Sequence, residues 1–357
     1  MLLMMLLTAT TAGAQEAISG LTYNSTGGYY EINDKQDLID LATYVNAGNT
    51  ASGKWFKQTA DLNMSGVTWT AIGTKVGDSE FRRFYGNYDG NCKGLEQFNI
   101  NHDGAVTLGN SNAFEGCDAL QYIIFSTPAG VLANTSGNWS GFATKLRVAL
   151  GSYLFTATNE GGTPAYKIAN GDDLRRLATA VEATDNYAST DKTFRQTANI
   201  DLDSNDNFTP IGAPGADASF CGTYDGGKHT ISGLSVSKER GYIGLFGMVR
   251  GATVRNVTLV SPTLTATTTQ DYNVRIGAVI GSCDNGANNV VENCHVISPN
   301  VSSSSTSNIN YVGAIIGDIH DTNTTVTNCY YYGGNATAAY GFKENGAPVT
   351  NVGRATR

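Results

Sequence analysis

The chain has 357 residues, with 23 Lys and Arg against 31 Asp and Glu and a formal net charge of −8. An isoelectric point near 5.0 with dispersed cations leaves no basic stripe to neutralise phosphates, which excludes nucleic acid as a partner. No stretch reaches the roughly 20 apolar residues that a membrane-spanning helix needs, and the 6 cysteines include no C-x-x-C pair, which argues against a zinc or thioredoxin-like site.

In chain order, residues 1–14 read as a secretory signal peptide. Met1–Leu7 is a short apolar core and Ala12-Gly13-Ala14 a small-residue cleavage site, although the usual positive start is missing. Export is therefore expected, and with it a setting that permits disulfides. A first unit spans 15–150. It opens with Tyr30-Glu31-Ile32, followed by an amphipathic helix that places Leu38, Leu41, Ala42 and Val45 on one stripe. Asn33 or Asp34 can cap that helix and Gly48 can end it. Then come Phe56-Lys57-Gln58-Thr59-Ala60, Ala71-Ile72-Gly73 and Gly86-Asn87-Tyr88-Asp89-Gly90.

A second unit, 151–357, repeats this order as Tyr166-Lys167-Ile168, a helix with Leu174, Leu177, Ala178 and Val181, then Phe194-Arg195-Gln196-Thr197-Ala198, Pro210-Ile211-Gly212 and Gly222-Thr223-Tyr224-Asp225-Gly226. The offset is 136 residues both at Tyr30/Tyr166 and at Tyr88/Tyr224. A shorter repeat follows, headed by Gly244-Leu245-Phe246-Gly247, Gly277-Ala278-Val279-Ile280-Gly281 and Gly313-Ala314-Ile315-Ile316-Gly317. Asn256, Asn293 and Asn328 recur after these heads at spacings of 37 and 35 residues. Fixed periods of this size mark a solenoid, in which each unit buries its apolar face against its neighbours. Each period is expected to hold three strands, such as Ile276–Ile280, Val290–Val296 and Asn300–Ser305.

Val254, Val291 and Val326 are predicted to point inward, and so are Val257, Cys294 and Cys329 three positions on. That spacing breaks the two-residue alternation of a strand, so a bend lies between, at an Asn that tolerates the left-handed conformation. Stacked Asn side chains can also hydrogen-bond between repeats. Gly244, Gly277 and Gly313 are expected at a second corner, or where only hydrogen fits. The fold predicted is all-β, a parallel β-helix with two short α-helices. The first helix would cover the open N-terminal edge, and the second would lie on a flank or at a break between units.

Gly244-Leu245-Phe246-Gly247 and its relatives resemble the GLUG motif of bacterial surface and secreted proteins, and the upstream segments resemble those that commonly precede it. The similarity covers about residues 29–125 and 165–332. Ala113-Phe114-Glu115-Gly116 departs from the pattern where the first unit should carry the motif. The resemblance implies a right-handed β-helix, a secreted or bacterial cell-surface location, and company with adhesins and immunoglobulin-A-cleaving metallopeptidases. No H-E-x-x-H occurs, so the peptidase chemistry does not carry over.

Few residues point to chemistry, and none is assigned a catalytic role. His102, His229, His295 and His320 lack metal-ligand spacing, with His295 facing outward in the column of Thr258 and Tyr330. Asp89 and Asp225 are candidate acids, but Asp-Gly is also a strong turn signal. Asp201, Asp203 and Asp206 lie in an acidic loop that either wraps calcium or is simply solvated, since it lacks the sixth-position Gly and distal Glu of an EF-hand. Tyr330, Tyr332 and Trp139 offer flat faces for sugar rings, against the plainer reading of strand packing. Cys294 and Cys329 share a repeat column, which is compatible with a disulfide or with two buried thiols. The function expected is an adhesin-like binding module for glycans or cell-surface proteins. The alternatives are a carbohydrate-active enzyme (a polysaccharide lyase or glycoside hydrolase), which needs several acids or an acid with Lys or Arg in one groove, and a structural stalk carrying further domains of a larger assembly.

Overall fold

The computed structural model describes residues 17–64, 67, 70, 72–73, 75–76, 80–89, 95–100, 122–135, 137–183, 189–213, 218–283, 288–320 and 322–356, with backbone alone at 75–76, 80–81, 95–100 and 137–140. The expected leader, the Ala113–Gly116 segment, His102, Cys92 and Cys117 lie outside the described residues. The protein is mostly β, with parallel sheets and three α-helices among the described residues. It divides into two compact units. Of the described residues, the first holds 17–100, 122–124 and 141–145, and the second those of 125–140 and 146–356.

In the first unit, Tyr23–Asn24 lies antiparallel to Tyr29–Ile32, and the parallel strands Trp55–Gln58 and Asn87–Asp89 follow. The helix Lys35–Asn46 starts at Asp34, whose side chain accepts from the backbone N–H of Gln36 (2.8 Å) and Asp37 (3.0 Å). Asp37 reciprocates by accepting from Asn33 N–H at 2.7 Å, so donors left open at the helix start are satisfied from both sides. Gly48, at φ +106°, follows the last turn. The predicted stripe of Leu38, Leu41, Ala42 and Val45 is buried, and Leu38, Leu41 and Val45 share one core with Tyr30, Ile32 and Phe56. Each such large apolar side chain contributes about 1.5–3 kcal/mol by leaving water.

The second unit starts the same way. Ala157–Thr158 is antiparallel to Ala165–Ile168, and a parallel rank continues through Thr193–Gln196, Thr223–Asp225, Thr253–Arg255, Val290–Glu292, Thr325–Tyr332 and Val349–Arg354. The helix Gly171–Ala183 packs against Tyr153–Phe155 and Ala165–Ile168. Asn170 accepts from Asp173 N–H and Asp173 from Ala169 N–H, both at 2.9 Å, matching the reciprocal cap of the first unit. The sequence predicted two α-helices, and the structure adds a third, Pro128–Ala133. Thr127 caps it by accepting from Gly130 N–H, and Pro128 occupies its first turn, where a missing N–H costs nothing. At six residues it is too short for an apolar periodicity to announce it.

The repeats stack in register. Val254 faces Val291 and then Val326, and Leu259 faces Val296 and then Tyr331. The repeats that start at Thr223, Thr253 and Val290 contribute five short strands each rather than the three expected, for example Thr253–Arg255, Thr258–Val260, Thr263–Ala266, Val274–Gly277 and Ile280–Cys283, whereas Thr325–Tyr332 runs unbroken through Asn328. Two bends account for the difference. Asn256, Asn293 and Asn328 take φ of +55°, +53° and +52°, so Val254 and Val257 both turn inward, as do their partners in the next two repeats. The glycine corner makes the second break. Gly244, Gly277 and Gly313 do not have positive φ, but a Cβ there would strike Gly277 O, Ile280 O and Ile316 O respectively, so only hydrogen fits. A further bend, at Ser261 and Ser298 with φ +51° and +52°, was not anticipated; its trace in the sequence is the recurring Ser-Pro pair.

Candidate functional site

The asparagine column forms a hydrogen-bonded ladder. Asn256 Nδ2 donates to Asp225 Oδ1 at 3.0 Å, Asn293 to Asn256 at 3.5 Å, Asn328 to Asn293 at 3.4 Å, and Asn351, with φ +54°, to Asn328 at 3.0 Å. The middle contacts are at the long end of useful geometry, so the column acts first by permitting the bend. Asp225 ends the ladder. Its carboxylate, 3% exposed, also accepts from Gly227 N–H at 2.9 Å and Arg255 Nε at 2.8 Å, and it pairs with Arg195 at 3.2 Å. Burial pushes the Asp225 carboxyl upward. The donors Asn256, Gly227 N–H and Arg255, with the charge of Arg195, outweigh it and hold the group below the usual carboxylate range. With Glu292 at 4.0 Å from Arg255, the outward column alternates in sign from Arg195 to Glu292. Asp225 is thus consumed by structure, and Asp89 is engaged within its own unit by Lys57 at 3.8 Å.

The acidic loop does not gather its oxygens. Asp201 accepts from Ser232 Oγ at 2.6 Å, Asp203 from Asn205 N–H and Nδ2 at 3.0 Å each, and Asp206 pairs with Arg175 at 2.9 Å. Among the described residues no three His, Cys, Asp or Glu are placed to share a metal ion. Each carboxylate is turned to a different protein donor. Cys294 and Cys329 are buried, free thiols in adjacent rungs. Each leans on a carbonyl of its own bend, Cys294 Sγ on Glu292 O at 3.4 Å and Cys329 Sγ on Thr327 O at 3.3 Å. In-register parallel rungs keep Cβ vectors side by side at about 4.8 Å, wider than the roughly 3.8 Å a disulfide prefers, and the bridge is not formed. Burial pushes the Cys294 thiol well up.

Tyr330 and Tyr332 alternate outward around the buried Tyr331, and His295 stacks on Tyr330 with ring centroids 5.9 Å apart. Trp139 falls in the 3-10 helix Gly137–Lys145, its side chain outside the described residues.

The geometry concentrates polar groups elsewhere. At the glycine corner two outward columns converge. One is Tyr242–Arg275–Tyr311 and the other Met248–Ser282–Asp318–Phe342, each in parallel register. Arg275 lies over the Tyr242 ring at 5.0 Å and the Tyr311 ring at 6.0 Å, and its Nε meets Asp318 Oδ2 at 2.7 Å. Ser282 Oγ donates to the same oxygen at 3.4 Å, and His320 Nδ1 lies 3.5 Å from it. Asp318 is 0% exposed, and its other oxygen, Oδ1, is buried with no hydrogen-bond partner. Beside the cluster is a compartment of about 140 Å³ lined by Tyr242, Arg275, Asp318 and His320. It shares Tyr242 and Arg275 with a cleft of about 520 Å³ that adds Arg240, Asp271 and Tyr272. Arg240 lies over the Tyr272 ring at 4.4 Å.

Sequence reading missed this cluster because Arg275 and Asp318 are 43 residues apart and replace unlike residues in their columns. The available signal was an Asp inside the apolar run Ile315-Ile316-Gly317-Asp318-Ile319.

No protein-family model matches the chain, and no curated protein is a significant match. Among solved structures, the chain is similar to a Bacteroides ovatus protein provisionally assigned as an immunoglobulin A1 protease. The identity is 13%, over 92% of this chain and 84% of that one, with a TM-score of 0.29. Similarity at that level carries no argument about fold or activity.

Proposed function

We propose that the protein is an exported bacterial binding module, adhesin-like, built as a right-handed parallel β-helix of the GLUG type and recognising glycans or cell-surface proteins. Export rests on the leader-like start at residues 1–14. The helical reading is supported by in-register ranks of parallel strands, each gathering the equivalent strand from successive repeats. The observation that carries binding is a pair of recesses beside the glycine corner, which share Tyr242 and Arg275 and are lined between them by tyrosine rings, two arginines and a buried aspartate. Further domains of a larger surface assembly fit the same reading, because repeat stacks extend by adding neighbours.

A glycan array probed with the purified protein, followed by saturable binding to intact cells, tests this. Retention of a defined subset of glycans, or saturable cell binding, is the expected result; failure of both on folded protein removes the reading. A carbohydrate-active enzyme is the second reading, favoured by Asp318 beside Arg275, an acid with a cation in one groove. Depolymerisation of a polysaccharide that is lost in Asp318→Asn would move the assignment there.

A further inference from the structure

We infer that the outward face of the first unit's four-stranded sheet is a platform for a neutral pyranose of a glycan chain, stacked on the indole of Trp55. The inference rests on the glycan-binding reading above but not on the recesses that carry it, because it uses other residues in the other unit.

The starting observation is a difference between duplicated frameworks. Phe56 and Gln58 are buried, so strand alternation turns Trp55 and Lys57 outward, and Tyr29 and Glu31 follow the same rule beside the buried Tyr30 and Ile32. Parallel register sets Trp55 beside Asn87, and Lys57 between Glu31 and Asp89. The second unit repeats the column Tyr30–Phe56–Tyr88 as Tyr166–Phe194–Tyr224, but it carries Thr193 beside Thr223 where the first has Trp55 beside Asn87. The framework therefore folds with a threonine at this place, and the indole is no packing requirement. It is also open to solvent, since Trp55 is 53% exposed. Its side chain makes no hydrogen bond or ring contact with another described residue. Of the four large apolar side chains exposed among the described residues, three are Trp55, Tyr85 and Tyr88, all rings with a polar tip.

Open polar groups adjoin the ring. The Trp55 Nε1–H is an unspent donor. On the next strand, the exposed Asn87 gives Nδ2 to Lys54 O at 3.4 Å, and its Oδ1 accepts from no described residue. In-register neighbours stand about 4.8 Å apart. A sugar chain crossing the indole brings hydroxyls that accept from the one and donate to the other, since each hydroxyl does both.

Charge selects among the classes of ligand that stack on an exposed indole. Lys57 lies 3.8 Å from Asp89 and over the Tyr29 ring at 5.4 Å, and Glu31 accepts from Asn24 at 2.9 Å. One cation between two carboxylates gives phosphates and uronates nothing to pair with, which sets aside nucleic acid and acidic glycans. The core of a protein interface is apolar and depleted of charge, whereas the column next to Trp55 is Glu31–Lys57–Asp89. A neutral pyranose fits both halves of the face. Its C–H side covers the indole, and its hydroxyls meet amides and carboxylates that already have internal partners.

Affinity electrophoresis of the full chain in gels containing laminarin, galactomannan, arabinoxylan or hydroxyethylcellulose, against polygalacturonate and glycol chitosan, tests the inference. At least one neutral polysaccharide is expected to retard the protein more than either charged one. Trp55→Ala is expected to weaken that retention by about tenfold or more at unchanged melting temperature, because the exposed indole gives its area to the ligand and not to the core. Asn87→Ala is expected to weaken it by about threefold or more, and it decides should Trp55→Ala fail to fold. Stronger retardation by polygalacturonate or glycol chitosan overturns the inference, and so does lost stability with retained affinity in Trp55→Ala. Glycan binding in the gel or on the array that neither variant affects places the sugar elsewhere, overturning the inference and leaving the binding reading intact. Cell binding that Trp55→Ala abolishes while no glycan is retained makes the face a protein-docking surface, which overturns the inference in the same way. No binding to any glycan or cell removes both.

Discussion

Tyr88-Asp89 and Tyr224-Asp225 share their local sequence, their strand and their place after a Phe-x-Gln strand, yet their surroundings differ. Tyr224 is fully buried, whereas Tyr88 is 37% exposed. The Asp225 side chain is 3% exposed between two arginines, whereas that of Asp89 is 44% exposed beside Lys57. The strand Thr223–Asp225 has parallel neighbours on both sides, Thr193–Gln196 and Thr253–Arg255. Asn87–Asp89 is the edge of its sheet among the described residues. The motif therefore sets strand and turn, and the stacked neighbours set burial and charge.

The largest test of that contrast is Asp225→Ala against Asp89→Ala. Removing Asp225 strands Arg195, 11% exposed, without its carboxylate, and a broken buried pair of this kind costs about 3–5 kcal/mol. Asp89→Ala should cost less than about 1 kcal/mol, the scale of exposed pairs. Equal losses in chemical denaturation would mean that burial does not distinguish the two sites.

Acid sharpens the same contrast. The folded Asp225 carboxyl sits below its unfolded value of about 3.9. Its contribution is therefore complete above that value and is lost as pH falls through the folded one. The melting temperature should drop as pH falls below about 4, and Asp225→Asn, less stable at pH 7, should show a flatter fall over that window. An unchanged slope in Asp225→Asn would show that other carboxylates govern acid unfolding.

These contrasts also show what could be read from the sequence. Asn256, Asn293 and Asn328 were legible because the same residue recurs in one column, and the left-handed bend needs a residue type that few others can replace. The glutamine of the Phe-x-Gln-Thr-Ala segment recurs too, but its role emerged only in three dimensions. Gln196 donates to Ala198 O at 2.9 Å and accepts from the Tyr224 hydroxyl, and Gln58 does the same with Ala60 and Tyr88. Asp318 and Arg275 left no periodic trace, because a site that occurs once breaks the repeat instead of following it. The strand count was misjudged because periodicity reports which residues face inward, not where hydrogen bonding lapses at a corner.

A smaller effect separates backbone from side chain next to Asp225. Asn256→Ala should cost about 2–3 kcal/mol, because Ala lacks the short polar side chain that lets Asn tolerate φ +55° and also loses the bond to Asp225. Asn256→Gly keeps the bend and removes only the bond to Asp225, so a loss near 1 kcal/mol is expected. If Ala and Gly cost the same in thermal unfolding, the ladder bond rather than the bend is what Asn supplies.

The smallest expected difference sets distance against burial. The Tyr88 hydroxyl donates to Gln58 at 3.1 Å, and the Tyr224 hydroxyl donates to Gln196 at 3.4 Å, so geometry alone favours the exposed pair. In Tyr88→Phe, the 37% exposure of Tyr88 gives water a path to the place of the lost hydroxyl beside the buried Gln58, which limits the cost to about 0.5 kcal/mol. In Tyr224→Phe the Gln196 oxygen loses that donor in a dry interior, at a cost of about 1–2 kcal/mol despite the longer bond. Burial also pushes the Tyr224 phenol far above its ordinary range, with the charge of Asp225 adding to it, so this hydroxyl stays protonated and donating at any pH where the protein folds. Paired denaturation curves decide which effect governs: a larger loss at position 88 would put hydrogen-bond length ahead of burial.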